Sequence, residues 1–214
     1  MWLLTCRPTE IIHLLVPLTW GLTSWVALLA RHAAQLALAG AVGLAVLSLQ
    51  LFFWHATSGQ WILYSYGNER FDFLHPHIVD GLFSYRKGGL LHTPLVGVML
   101  LGLPGARRVV PAVVAPVLLF LPVLVYVTFS WGQWAYGGGF SARPLVSVYP
   151  LLALPLAAVL RGRQTAAWAA TLHTLVALCI VLNLWQPWQY AAGILLADDN
   201  TAELYWRNFF HTSI

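Results

Sequence analysis

Long apolar runs, separated by short polar or Pro/Gly-rich stops, set the pattern of the chain. The first runs from Ile11 to Ala30 and ends at Arg31-His32; the second from Leu36 to about His55, ending at Thr57-Ser58-Gly59. A shorter third run, Leu90 to Leu103, stops at Pro104-Gly105 before Arg107-Arg108. The fourth covers Val109 to Ser130 with Pro111, Pro116 and Pro122, and the fifth Leu145 to Leu160 with Pro150 and Pro155, stopping at Arg161-Gly162-Arg163. The sixth, Thr165 to Trp185, is stopped by Pro187. A bilayer core of about 30 Å takes roughly 20 apolar residues per helix, and prolines are tolerated there when neighbours satisfy the freed carbonyls. The pattern therefore predicts an all-α polytopic bundle of about six spans. It gives a transmembrane domain over 1–185 with outer loops 57–89 and 131–144, and an extracytoplasmic tail over 186–214.

Composition excludes a water-facing globule. The 214 residues are 59% hydrophobic and 8% charged, with 11 Trp, and mean hydropathy is +0.73; soluble domains carry about 25% charged residues. Disorder would need the opposite composition. The net charge of +4 is scattered, with no basic stripe interleaved with aromatics, so nucleic acid is not an expected partner. Cys6 and Cys179 form neither a disulfide framework nor a CxxC site.

Arg31, Arg107, Arg108, Arg161 and Arg163 fall in three short loops without an acidic residue. Lys/Arg in short loops mark the cytoplasmic side. The seven acids (Glu10, Glu69, Asp72, Asp80, Asp198, Asp199, Glu203) then lie outside, as do the helix ends carrying Trp54, Trp61, Trp131, Trp134, Trp185 and Trp188. The start, Met1 to Leu4, is too short and lacks the basic lead-in of a signal peptide. An N-terminus placed outside with nothing to carry it across suggests the C-terminal part of a larger design or a truncated gene product.

Candidate chemistry concentrates in the outer loops. Within 57–89 stand Glu69, Arg70, Asp72, His75, His77, Asp80, Arg86 and Lys87, interleaved with aromatics. Arg86-Lys87, before Gly88-Gly89 and a helix start, suit a lipid phosphate, because cations and free N–H groups both favour an anion. The alternative is that they snorkel and anchor the next helix. His75-Pro76-His77 matches no strong zinc spacing, so no metal or other cofactor is expected and hydrogen-bonding histidines are. Glu69 and Asp72 are acid/base candidates, or else pair with Arg70 and Arg86 to hold the loop. In 131–144, Trp131, Trp134 and Tyr136 offer faces for a sugar ring, three glycines allow close approach, and Arg143 adds a cation. His92 and His173 sit in apolar spans. In the tail, Asn200 or Thr201 caps a short amphipathic helix with Leu204, Trp206, Phe209 and Phe210 on its apolar face.

The strings Trp61…Tyr64-Ser-Tyr-Gly67 and Leu82-Phe-Ser-Tyr-Arg-Lys-Gly88 with Pro94 form one part of a resemblance. The other parts are Trp131…Trp134…Tyr136-Gly-Gly-Gly-Phe-Ser…Arg143-Pro144 and Trp188-Gln-Tyr…Gly193-Ile-Leu…Asp199…Thr201…Tyr205-Trp206. Together they resemble the C-terminal half of bacterial, Bacteroidetes-type membrane proteins of the glycosyltransferase family 39-like group, within the GT-C superfamily. The resemblance runs from about Leu49 to Phe210. It implies a transferase in the bacterial inner membrane, with its working loops facing the periplasm, moving a sugar from a polyprenyl-phosphate donor to an extracytoplasmic acceptor. The anomeric carbon would invert and the lipid phosphate would leave. It assigns Arg86, Lys87 and Arg143 to the donor phosphate and Trp131, Trp134 and Tyr136 to the sugar or acceptor. The group's catalytic carboxylate lies in a first outer loop that has no counterpart before Ile11. The rival reading is a non-catalytic membrane protein, a transporter element or assembly subunit. A transporter would show an internal repeat and mid-membrane charges, whereas here the charges cluster in the outer loops.

Overall fold

The computed structural model describes residues 8–20, 25–63, 68–162, 165–196 and 198–212. Cys6, the start at 1–4, the string 64–67 and Arg163 lie outside them. Two units divide the chain, Met1–Glu69 and Arg70–Ile214, the boundary falling within the expected loop 57–89. Described residues form helices and turns, with one isolated antiparallel bridge between Phe71 and Trp131.

The first unit holds a 3-10 turn (Pro8–Leu14), a short α1 (Leu15–Thr19) and a long α2 (Trp25–Ser58). The expected loop at Arg31-His32 is instead a kink inside α2, where His32 takes φ −124° and ψ 21°. The Ala- and Leu-rich sequence on either side favours continued helix over a break. Termination follows from Gly59, which adopts φ +72° and donates its N–H to His55 O at 2.9 Å; glycine enters this left-handed conformation without a Cβ clash. The Leu29–Ser58 stretch has only 6% of its most apolar window buried. A helix apolar on every face with so little protein against it needs lipid as its solvent.

The second unit begins with α3 (Ile78–Phe83), α4 (Gly89–His92), α5 (Leu95–Leu101) and α6 (Leu103–Val109). After a 3-10 turn (Pro111–Val113) comes α7 (Val114–Phe129), then another 3-10 turn (Arg143–Val148) leading into α8 (Tyr149–Arg161). The unit closes with α9 (Ala166–Ala191) and α10 (Ala202–Asn208). The third expected span therefore does not exist as one helix. Pro94 breaks it after α4, since the residue before a proline is pushed out of the helical region; Thr93 there takes φ −131° and ψ 67°. A second break falls at Gly102, before Pro104 at the start of α6. Among the described residues four helical stretches are long and apolar enough to cross a membrane: Leu29–Ser58, Pro111–Phe129, Arg143–Arg161 and Ala166–Ala191. The α9 helix also runs past the expected boundary at Trp185, with Pro187 inside it.

Packing in the second unit depends on small residues, as it must where lipid tails remove most of the hydrophobic drive between helices. Both α5 and α6 lie along α8. A Cβ on Gly102 would stand 2.1 Å from the Pro155 carbonyl oxygen, so the crossing closes only with glycine there. Val98, Leu172 and Cys179 form a core with Leu156, Val159 and Val176 that joins α5, α8 and α9. Gly102 faces Pro155 and Gly105 faces Ala158, so α6 runs along α8 toward Arg161 and carries Arg107 and Arg108 to that end. The 19 residues of Pro111–Phe129 then carry the chain about 28 Å, at 1.5 Å per residue, to the opposite end.

Gly102→Ala should destabilise the protein by about 1–3 kcal/mol through overpacking against a backbone oxygen. Gly97→Ala, on α5 with nothing within 4 Å of its added Cβ, should leave the melting temperature in lipid nanodiscs unchanged or raised. Equal melting of the two variants would contradict this account of the helix crossing.

Candidate functional site at the glycine-rich loop

At the far end of α7 the chain must satisfy carbonyls that helix termination leaves without partners. The loop before α3 supplies donors: Asp72 N–H to Ser130 O at 2.7 Å and His77 N–H to Phe129 O at 2.8 Å. The Tyr126 hydroxyl returns a bond to Phe73 O at 2.7 Å. Phe129 lies against Gly81, where a Cβ would fall 2.1 Å from its ring. These contacts fix α3 and the 84–88 turn beside the loop that leaves α7.

That loop carries Gly137, Gly138 and Gly139 between two non-glycine residues at positive φ, Tyr136 (53°) and Ser141 (51°). Such conformations cost of order 1–3 kcal/mol each and persist only when surroundings hold them. Here three groups do. Lys87 Nζ donates to Gly137 O at 2.7 Å and to Gly139 O. The Tyr190 hydroxyl, on α9, donates to Gly138 O. The Tyr136 hydroxyl donates to Thr128 O at 2.7 Å.

Lys87 is 1% exposed. A buried ammonium is costly unless paired, and besides the two carbonyls it faces Asp198 Oδ1 at 3.6 Å. Burial lowers its pKa from the usual 10.5, Asp198 opposes that shift, and the positive charges of Arg86 and Arg143 add to the lowering. Asp198 also meets Arg86 at 3.5 Å. The Arg86 guanidinium sits 5.7 Å from the centre of the Trp134 ring, and Arg143 donates to Tyr136 O at 3.2 Å. Three basic side chains from two loops thus converge on one glycine-rich turn with one carboxylate between two of them. Arg86 and Arg143 are exposed, whereas Lys87 is enclosed by its own partners. The expectation that Arg86 pairs with Glu69 or Asp72 is replaced by its pairing with Asp198.

The tail completes the shelf. Thr201 caps α10, accepting from Leu204 N–H at 3.3 Å, while Asn200 turns inward and donates to Tyr85 O at 3.3 Å. The most buried residue of α10 is Tyr205, 3% exposed; of the expected face, Leu204 and Phe209 are half-buried and Trp206 and Phe210 are exposed. Gln186 Nε2 donates to the Tyr205 hydroxyl at 3.0 Å, and Gln189 Nε2 donates to the carbonyls of Asn208 (3.0 Å), Phe209 (3.0 Å) and His211 (3.1 Å). Burial pushes the Tyr205 phenol up to about 12, with nearby Tyr85 adding to the shift.

The remaining loop candidates form two surface pairs. His75 Nδ1 meets Asp72 at 3.2 Å and His77 Nδ1 meets Asp80 at 3.3 Å. Asp72 also accepts from the N–H groups of Leu74 and His75, and the His75 bond leads in lowering its pKa. Glu69 belongs to the first unit. No group of three His, Cys, Asp or Glu able to hold a metal occurs among the described residues. Trp131 is buried, with Phe71 edge-on at 4.7 Å, so among the aromatic candidates only Trp134 and Tyr136 keep surface. Trp134 is half-buried under Arg86 and stacks with His77 at 5.7 Å. Sequence reasoning left out Asp198, Tyr190, Gln186 and Gln189 as site residues. Two glutamines at i, i+3 on an otherwise apolar helix were the available signal.

No family model, curated protein or solved structure matches the chain.

Lys87→Met should untie the glycine-rich loop and lower stability by about 2–4 kcal/mol. That is somewhat under the cost of breaking a fully buried pair, because Asp198 keeps contact with water. The depressed Lys87 pKa also fixes a sign. The unfolded chain binds that proton more tightly, so wild-type stability should climb as pH rises toward 10.5, and the variant should lack that component. Proteolysis within 137–141 should quicken in the variant. Unchanged cleavage and melting would contradict a structural role for the ammonium.

Proposed function

We propose that the second unit is a membrane-embedded, glycosyltransferase-like module that binds a polyprenyl-phosphate-linked sugar on the outer side of a bacterial inner membrane, for transfer to an extracytoplasmic acceptor. The observation that carries the reading is the gathering of Arg86, Lys87 and Arg143 at one glycine-rich turn beside Trp134 and Tyr136. Three cations against one shared carboxylate leave positive charge at the shelf, and a diester or monoester phosphate neutralises it. Arg86 and Arg143 are the exposed cations, and a guanidinium forms paired hydrogen bonds to phosphate oxygens. Lys87 acts from behind by fixing the carbonyls that shape the turn. Stabilising the phosphate as it leaves with negative charge is the chemical contribution this arrangement offers, since fixed donors need no reorganisation when charge develops.

The sidedness rests on the charge pattern. Arg107, Arg108 and Arg161 stand at the other end of α7 and α8 from the shelf, in short basic connections that favour the cytoplasm.

Nanodisc-embedded protein should be stabilised by polyprenyl phosphate and much less by the uncharged polyprenol of the same length. Arg86→Ala and Arg143→Lys should each weaken phosphate binding roughly tenfold, the worth of one charge-assisted hydrogen bond. Equal response to the phosphate and the alcohol, or unaltered affinity in both variants, would overturn the reading.

A further inference from the structure

Behind the glycine-rich loop lies a cavity of about 190 Å³, bounded by α4, the loop and α9 and lined by His92, Arg143, Tyr149 and Asn183 among others. By the share of a water in the liquid this is roughly six waters' worth of space. One of the groups that line it, His92, has a ring nitrogen left over once its backbone bond is made.

His92 is 2% exposed, and its Nδ1 lies 2.8 Å from Gly88 O. A carbonyl only accepts, so Nδ1 carries the proton and Nε2 is left as a lone-pair acceptor. Burial, reinforced by the charge of Lys87, holds the ring neutral by lowering its pKa. The rings of Phe140 and Tyr205 stand across it at 5.2 and 5.8 Å, fixing its orientation. Asn183 lines the same cavity.

We infer that this cavity is a binding site for a small neutral polyol or glycoside, whose hydroxyl donates to Nε2 of His92 and whose ring lies against the cavity wall near Asn183. A ligand here must bring a donor, because Nε2 of His92 is an acceptor. An ammonium would also bring donors, but Arg143 at the same cavity repels a cation. A hydroxyl meets both conditions. The Gly88–Gly89 start of α4 fixes the site: a Cβ on Gly88 would meet Ser84 O at 2.4 Å, so the turn that aims His92 is held by close backbone contact. The inference stands on the cavity's own groups and not on the anion reading; where both hold, the occupant is the acceptor of the transfer.

The test uses the full chain in nanodiscs, free of glycoside detergents, with histidine labelled by nitrogen-15 and methyl β-D-glucopyranoside as probe. The probe should move one neutral-imidazole Nε2 resonance, the one missing from the spectrum of His92→Asn. Tetrahydropyran, the ring without hydroxyls, should not move it, and glucosamine in its ammonium form should bind more weakly than the methyl glycoside. His92→Asn retains a donor toward Gly88 O and loses only the Nε2 acceptor, so affinity should fall about tenfold. Val146→Trp, which fills the cavity and leaves His92 in place, should abolish the shift, which keeps the test valid if His92→Asn folds poorly. A methyl glycoside that leaves every imidazole resonance unmoved, or binds Val146→Trp as well as wild type, would overturn the inference. Either result can occur while polyprenyl phosphate still binds, so the two readings fail separately.

Discussion

A single buried ammonium organises the face that carries the candidate site. Lys87 reaches the carbonyls of Gly137 and Gly139 and the carboxylate of Asp198, so its own turn, the glycine-rich loop and the tail, three segments far apart in sequence, meet at one atom. Each partner needs the others. Without Asp198 the ammonium would lack a counter-charge in a buried place, and without the ammonium two carbonyls would point at nothing. The positive φ of Tyr136 and Ser141 is sustained by the same contacts. Breaking any one leaves a desolvated group unpaired, which costs more than the bond itself gains.

The bilayer shapes the rest. A stretch as long and apolar as Leu29–Ser58 is suited to lipid rather than water, and the proline-bearing α7, α8 and α9 keep their helicity where neighbours supply the freed carbonyls with partners. Hydrophobic burial does little to choose between helix packings in lipid, so the choice falls to shape. Gly102 against Pro155 and Gly81 under Phe129 are places where only a missing Cβ permits the approach. The polar shelf follows the complementary rule. Its glutamines, tyrosines and tryptophans bind one another and the end of α10, so a face rich in hydrogen-bonding groups stays ordered at the edge of an apolar body.

Much of this was legible in the sequence because lipid imposes a coarse and strong pattern. The apolar runs announced α7, α8 and α9 and the helical content throughout. Grouping Arg107 and Arg108 with Arg161 at one end agrees with the packing of α6 on α8. The run Leu90 to Leu103 misled because hydropathy ignores backbone: Pro94 and Gly102 divide it into pieces too short to cross. Arg31-His32 misled in the opposite way, since two polar residues read as a loop are carried on a kinked helix. In the candidate site, Arg86 and Lys87 stood out in a charge-dense loop just before a glycine-led helix start, and Arg143 was added by the resemblance. Their unequal exposure could not be read, because it comes from Asp198 and the glycine carbonyls, partners about 50 and 110 residues away. Trp131 shows the same limit: a Trp in a polar, glycine-rich loop reads as a surface face, whereas here Phe71 packs edge-on against it and it is buried.

The central claim is that the 84–88 turn, the glycine-rich loop and the 198–208 tail meet on one side of the membrane, opposite the arginines of α6. Single cysteines at Ser141, Asp199 and Arg108, placed in a Cys6→Ser, Cys179→Ala chain, can be treated with a membrane-impermeant thiol reagent in sealed vesicles of known orientation. Ser141→Cys and Asp199→Cys should react from the same side and Arg108→Cys only from the other. Labelling of Ser141→Cys and Asp199→Cys from opposite sides, or of Ser141→Cys and Arg108→Cys from the same side, would contradict the account.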